Sequence, residues 1–398
     1  MPPHNPFFGH LKLIAEIMSR LPSDVHGHVL PHQIQLMFPD LGPMFYIDTW
    51  PFGPEMLIVA APDQAYQITQ SHSLPKFHAL REYLHPMTGG SNLVTMEGNE
   101  WKKWRNIFNP GFSAGHLMTL VPEMMKDILL FCEILREAAG KPDIILMDLI
   151  TTRLSLNIIG RVALHESSKV TGNLQSKTII DLALDTYTAS KSESSSLASM
   201  DTIFRDSATS QIRTFVFAGH DTTSSTMCYA FHLLSTHPNT RKLLVAEHEL
   251  IFGTRSGEPG YFILGPNGVQ YPTDGFLVWV NSYAIHRDAK FWPDPDKFLP
   301  ERWLVEEGDR LYPLKGAYRP FEFGPRNCIG QELAMLEMKI VLVMTARVFN
   351  VKSVYSEWDR LHHKTGQRIL KGDRAYQILS GAAHPSDGLP CKVTLIAH

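Results

Sequence analysis

Between Ser207 and Ser235 the apolar or small residues Ile212, Phe215, Val216, Gly219, Thr223, Thr226, Ala230, Leu233 and Leu234 recur at steps of three and four. That period places them on one stripe of a helix roughly 43 Å long, at ~1.5 Å rise per residue. A stripe of that length needs a large body to cover it, so a mainly α fold is expected. A second helix is predicted from Gln331 to about Phe349, with Leu333, Leu336, Ile340, Val343 and Met344 on one face. Smaller β regions flank this helical body. Met44 to Trp50 and Met56 to Ala60 read as two strands joined by a Pro-Phe-Gly-Pro turn, and near the carboxyl end AYQIL and CKVTLIA alternate like strands.

The chain has 398 residues, 44% hydrophobic and 19% charged, a globular composition. We expect a single domain over residues 1–398, with β-rich portions near 40–62 and 371–398 and a helical core of about 97–350. A formal net charge of -3 gives no reason to expect nucleic acid as a partner. Cys132, Cys228, Cys328 and Cys391 are far apart and form no C-x-x-C pair, which argues against a disulfide framework or a structural zinc site and for a reducing compartment. No apolar run reaches the ~18 residues of a membrane span, and MPPHNPFFGHLKL has no signal-peptide layout, so no transmembrane segment is expected. ASKSESSSLAS, from Ala189 to Ser199, reads as a surface loop.

One cysteine stands in an unusual setting, FEFGPRNCIG, from Phe321 to Gly330. Cys328 lies just ahead of the predicted second helix, near unpaired backbone N–H groups and the positive end of the helix dipole; both favour thiolate over thiol. Gly324 and Pro325 supply a tight turn, Gly330 permits close approach to the backbone, and Arg326 adds a fixed positive charge. A thiolate held in this way suits a nucleophile, a redox sensor or a metal ligand. A nucleophile needs a histidine base, and none of the histidines sits in a motif.

The pattern F-x-x-G-x-R-x-C-x-G, complete here as Phe321, Gly324, Arg326, Cys328 and Gly330, resembles the haem-binding loop of cytochrome P450 enzymes. The resemblance implies a cytochrome P450 fold in which Cys328 is the axial ligand of the iron of haem b (iron protoporphyrin IX), Arg326 pairs with a propionate and Phe321 shields the sulfur. The centre of the long helical pattern, AGHDTTSST, is rich in poor helix formers whose hydroxyls compete for backbone carbonyls and are expected to open the helix locally. It is similar to the family's oxygen-activating motif at Ala218, Gly219, Asp221, Thr222 and Thr223. That similarity implies that Gly219 leaves room for dioxygen, Thr222 holds oxygen and water, and Asp221 feeds protons from solvent. His220 is expected to face elsewhere.

WKKWR sets Trp101 and Arg105 four residues apart, on one face of a helix; both are donors suited to a carboxylate, and the spacing is similar to the family's propionate-binding W-x-x-x-R. Lys102 and Lys103 are read as solvated, with reductase docking as the family's alternative. In HRDAKFWPDPDKFLPERW, from His286 to Trp303, three prolines preclude a regular helix. This segment resembles the family's meander, with Arg302 as its structural arginine.

Three departures from the family pattern stand out. Glu247 to Pro266 has no room for the E-x-x-R helix whose glutamate and arginine normally complete a buried triad with Arg302; the E-x-x-R strings at Glu133 and Glu307 are in the wrong places. Leu164 to Lys177 likewise replaces a pair of helices that in the family usually roofs the substrate pocket, and the chain opens at a hinge-like MPPHNP, which in the family commonly follows a membrane anchor. Arg302 is therefore expected to turn to Glu301, Glu306 or a propionate, and skipped exons or an imperfect gene model would explain the absences. By resemblance the function is that of a haem-thiolate monooxygenase of the fungal secondary-metabolism type. It would draw electrons from NADPH through NADPH-cytochrome P450 reductase and place one oxygen atom in a small apolar substrate such as a polyketide. The family's usual location is the cytosolic face of the endoplasmic reticulum membrane, with peripheral membrane contact. A non-catalytic haem-binding remnant and, more distantly, a cysteine-dependent hydrolase are the alternatives.

Overall fold

The structure, a computed structural model, describes residues 1–71, 74–164, 177–189, 202–247, 277–366 and 368–396. The chain forms two compact units, Met1–Leu74 with Phe252–Cys328 and Lys364–Leu379, and Pro75–Ile251 with Ile329–His363 and Ser380–His398.

The first unit is built around a three-stranded sheet. β1 (Met44–Asp48) and β2 (Glu55–Val59) form the expected antiparallel hairpin, with Tyr46 opposite Leu57, and β4 (Leu277–Val280) pairs parallel to β2 with Ile58 opposite Trp279. Both faces of the hairpin are covered, because period-two alternation sends successive side chains to opposite sides. Leu57 and Val59 join a cluster with Ala65, Ile285, Trp292 and Ala317, whereas Phe45, Ile47 and Ile58 pack with Ile17 and Ile34. Those residues come from α1 (Leu11–Met18), α2 (Val29–Met37), α3 (Pro62–Tyr66), α11 (Ser282–Ile285) and the segment after α11. Part of β6 (Gln377–Ser380) belongs here too, bridging Val25 through Ile378.

The second unit is helical. It contains α4 (His78–Thr88), α5 (Gly98–Phe108), α6 (Ala114–Ala139), α7 (Met147–Leu164), α8 (Ile179–Ala189), α9 (Thr202–Thr236), α10 (Pro238–Glu247), α12 (Gln331–Thr345) and α13 (Tyr355–Leu361). α9 is longer than its stripe predicts, at 35 residues, and runs unbroken. The expected opening at AGHDTTSST does not occur. Thr214, Thr222 and Thr226 donate to the carbonyls of Ser210, Ala218 and Thr222, using a second lone pair on oxygens that stay in the helical ladder. Gly219 lets α7 come close, since a Cβ there would lie 3.0 Å from Ile159 Cγ1.

α12 stops at Thr345 rather than near Phe349. Phe349 instead opens β5 (Phe349–Ser353), where Phe349 and Val351 are buried at strand spacing and Val351 lies opposite Val393 of β8 (Pro390–Leu395). The short β3 (Ile145–Leu146) completes that sheet in the order β3-β8-β5, and β7 (Ala382–Pro385) lies against α9. Helices also precede residue 97, the expected start of the helical core. The surface loop read at Ala189 to Ser199 lies, apart from Ala189, outside the described residues. So do the shortened stretch after Leu164 and the span from His248 to Pro266 in which the E-x-x-R helix was sought.

Candidate functional site

The cysteine loop of the first unit is a built turn. The Cys328 N–H donates to the Phe321 carbonyl at 2.9 Å and the Asn327 N–H to Gly324 at 3.0 Å, so the six residues between Phe321 and Cys328 close on themselves. Gly324 has φ +86, and a Cβ there would sit 2.3 Å from the Thr69 carbonyl oxygen; only glycine fits. Upstream, Arg319 is fully buried and fixes the loop's approach. Its guanidinium donates to Glu322 and to the Thr69 hydroxyl at 3.0 Å, Glu322 also accepts from Ser282 at 2.9 Å, and the Arg319 N–H donates to His286 Nε2 at 2.9 Å. His286 accepts that bond as a neutral imidazole, with burial pushing its pKa down to about 4. Sequence reading missed Arg319 and Glu322; the signal was a second arginine, in Arg-Pro-Phe-Glu, directly ahead of the glycine turn.

Of the four cysteines, Cys328 is the exposed one. Burial pushes the thiols of Cys132, Cys228 and Cys391 up, Cys391 to about 12, so none of those three offers a thiolate. Arg326 and Phe321 are half-buried.

Two parts of the second unit carry predicted site residues. On α5, Trp101 and Arg105 share a face as their spacing requires, with the guanidinium 6.0 Å from the indole and its Nε donating to Asn109 Oδ1 at 2.9 Å. Lys102 and Lys103 are exposed, Lys103 lying over the Trp104 and Tyr187 rings. On α9, Asp221 and Thr222 are consecutive, yet their side chains take different partners. Thr222 is exposed and bonds to Ala218 at 2.8 Å, whereas Asp221 is buried, with Oδ1 2.9 Å from His384 Nε2 and Oδ2 accepting from the Ala382 N–H. His220 turns to the Val216 carbonyl, as expected of a bystander. His384, on β7, also places Nδ1 2.8 Å from Asp148 Oδ1 of α7. No sequence motif announced His384, which is 163 residues from its partner Asp221.

Arg302 is buried but takes neither Glu301 nor Glu306. Its Nη2 donates to the carbonyls of Pro293 and Asp294, and its ring neighbour is Trp292 at 5.8 Å.

The chemistry of each of these residues suits an iron porphyrin. A single thiol serves a metal ion when a macrocycle supplies the other ligands, and Cys328 is presented singly on a hydrogen-bonded loop. Arg326, Arg105 and Trp101 are donors of the kind that porphyrin carboxylates take. Among the described residues no group of three or more His, Cys, Asp or Glu is placed to hold a bare metal ion.

Residues 1–205, 173–261 and 272–379 match a family model described as Cytochrome P450. Cytochrome P450 monooxygenase polC of Polytolypa hystricis is 34% identical over 501 residues, covering 100% of this chain and 90% of the relative. Cytochrome P450 monooxygenase acrF of Aspergillus aculeatus is 31% identical over 493 residues, covering 95% of this chain and 99% of the relative. The first alignment spans 501 positions against a chain of 398, so about a hundred positions of that relative have no counterpart here. Among solved structures, the cytochrome P450DA heme domain superposes with a TM-score of 0.71 at 18% identity, covering 100% of this chain and 96% of that one, which shows the fold.

Proposed function

The chain belongs to the cytochrome P450 family, and from that premise we propose that it is a haem-thiolate monooxygenase of fungal secondary metabolism whose iron is held by Cys328. The observation that carries the proposal is the exposed Cys328 thiol on a loop closed by its own N–H and by a glycine that no other residue can replace. Bound haem b would supply the iron at which dioxygen is activated. The residues of the chain do the rest. Cys328 provides the thiolate, Phe321 apolar cover, and Arg326, Arg105 and Trp101 hydrogen bonds to the propionates. Thr222 and Asp221 handle the protons that dioxygen reduction consumes. Electrons come from NADPH through NADPH-cytochrome P450 reductase, for which exposed Lys102 and Lys103 offer positive charge. The substrate is a small apolar compound such as a polyketide, met at the cytosolic face of the endoplasmic reticulum.

A haem-binding remnant is the second reading. It is favoured by the hundred missing positions and by Arg302, whose Nη1 is buried without a hydrogen-bond partner among the described residues. Protein reconstituted with reductase, NADPH and ¹⁸O₂ over a panel of polyketides separates the two. The enzyme reading predicts product carrying one ¹⁸O atom; haem uptake with no labelled product across the panel supports the remnant.

A further inference from the structure

Asp221 is buried, and among the described residues its two carboxylate oxygens face two donors, the Ala382 N–H and His384 Nε2. Of these, only the imidazole can part with a proton under ordinary conditions. His384 has a carboxylate oxygen on each side, Asp148 at 2.8 Å from Nδ1 and Asp221 at 2.9 Å from Nε2. A neutral ring would aim a lone pair at one of those oxygens, so the geometry calls for an imidazolium. The site is constructed rather than incidental. Gly381 has φ +87, and a Cβ on it would lie 2.7 Å from Asp221 Oδ2, so only glycine lets β7 come down on the carboxylate. Ser225 of α9 ties the strand a second time by donating to the Ala383 carbonyl.

We infer that His384 is the immediate proton donor to Asp221, and that Asp148 is a positioning residue that keeps the imidazole charged. The inference deepens the proposed monooxygenase reading and rests on it. In the step, Nε2–H breaks and Asp221 Oδ1–H forms, leaving a neutral ring whose Nδ1–H still donates to Asp148. Once Asp221 has turned away to pass its proton on, Nε2 takes up a proton from the bulk solvent pool in place of the one consumed, and the cycle closes with no net change in the pair. Asp148, with its side chain 19% accessible, is the more solvated flank of the cluster. The hydrogen bonds that its ring donates to Asp148 and then Asp221 push the His384 pKa up to about 9, so the donor is loaded at neutral pH. Beside the cluster, Cys228 places its Sγ 3.8 Å from Asp148 Oδ1, and its thiol is neutral there because burial pushes its pKa well up.

The test uses the full chain loaded with haem. In ¹⁵N-histidine spectra, the imidazole signal that disappears in H384Q should carry protons on both nitrogens at pH 7 and titrate near 9. D148N should lower that midpoint by about one pH unit or more. A midpoint near 6.5 in the parent overturns the inference whether or not the protein is an oxygenase. In the reductase-reconstituted enzyme, hydrogen peroxide released per NADPH is the second reading. H384Q, whose amide can bond but cannot pass on a proton, should raise it roughly tenfold. D148N should move the onset of peroxide release to lower pH. Lower thermal stability in both variants with unchanged peroxide yield and pH profile would make His384 a structural tie and overturn the inference. A failed Cys328 assignment would show instead in the carbon monoxide spectrum of the parent, which neither variant touches.

Discussion

At Arg302 a buried guanidinium meets, among the described residues, carbonyls and an indole face instead of a carboxylate, and burial lowers its pKa accordingly. If the arginine completed an ion pair, removing it would cost ~3 to 5 kcal/mol, because a buried partner would be left charged. With carbonyl partners only, R302M should cost about 1 to 2 kcal/mol in urea unfolding of the haem-loaded protein, the worth of the bonds lost. A loss above ~3 kcal/mol would reveal a carboxylate at this site. Glu337 on α12 is the opposite case, a buried acid that, among the described residues, takes one donor, Ser155 of α7, at 2.7 Å. Burial pushes its pKa up to about 7 from an ordinary 4.5. A carboxyl raised in the folded state supports that state fully below 4.5 and loses the support as pH rises through about 7. At ~1.4 kcal/mol per pH unit the loss is roughly 3 kcal/mol. E337Q should therefore be more stable than the parent at pH 8 by up to about that amount and no better at pH 4, as read by unfolding midpoints at the two pH values. Equal pH dependence in both proteins would show that Glu337 has a charged partner.

Among the elements, α9 was legible from its period, and the β1–β2 hairpin from alternation around a Pro-Gly turn. The end of α12 was not. Phe349 continues an apolar stripe that suits a helix, and only pairing with β8, more than forty residues on, makes it strand. The same holds for the acid of α9. Its motif identified Asp221, while the partner that governs it arrives on β7 from 163 residues away, and local pattern carries no trace of it. What β7 needs in order to reach α9 is Gly381. G381A should cost about 2 to 4 kcal/mol, from a left-handed backbone that alanine resists and from a Cβ forced against Asp221. Gly366 is the control, with φ +88 and nothing within 4 Å of where a Cβ would stand, so G366A should cost only the ~1 to 2 kcal/mol of the backbone. Equal losses in thermal unfolding of the two variants would mean that β7 yields freely.

For the molecule as a whole, the fold class and the cysteine loop could be read from residues 321–330 and the helical stripe because each is a local pattern with a physical cause. The anchoring of that loop could not, since it depends on Arg319 meeting Thr69 across 250 residues of chain. Nor does any described helix have the length and apolarity to cross a membrane. Everything proposed for this enzyme returns to the bond between iron and Cys328. The direct measurement is the carbon monoxide spectrum of the reduced protein, parent beside C328S. A strongly red-shifted thiolate Soret band in the parent that is lost in C328S is the predicted result. A band of histidine or neutral-thiol type in the parent, or a C328S spectrum that matches it, would contradict the account.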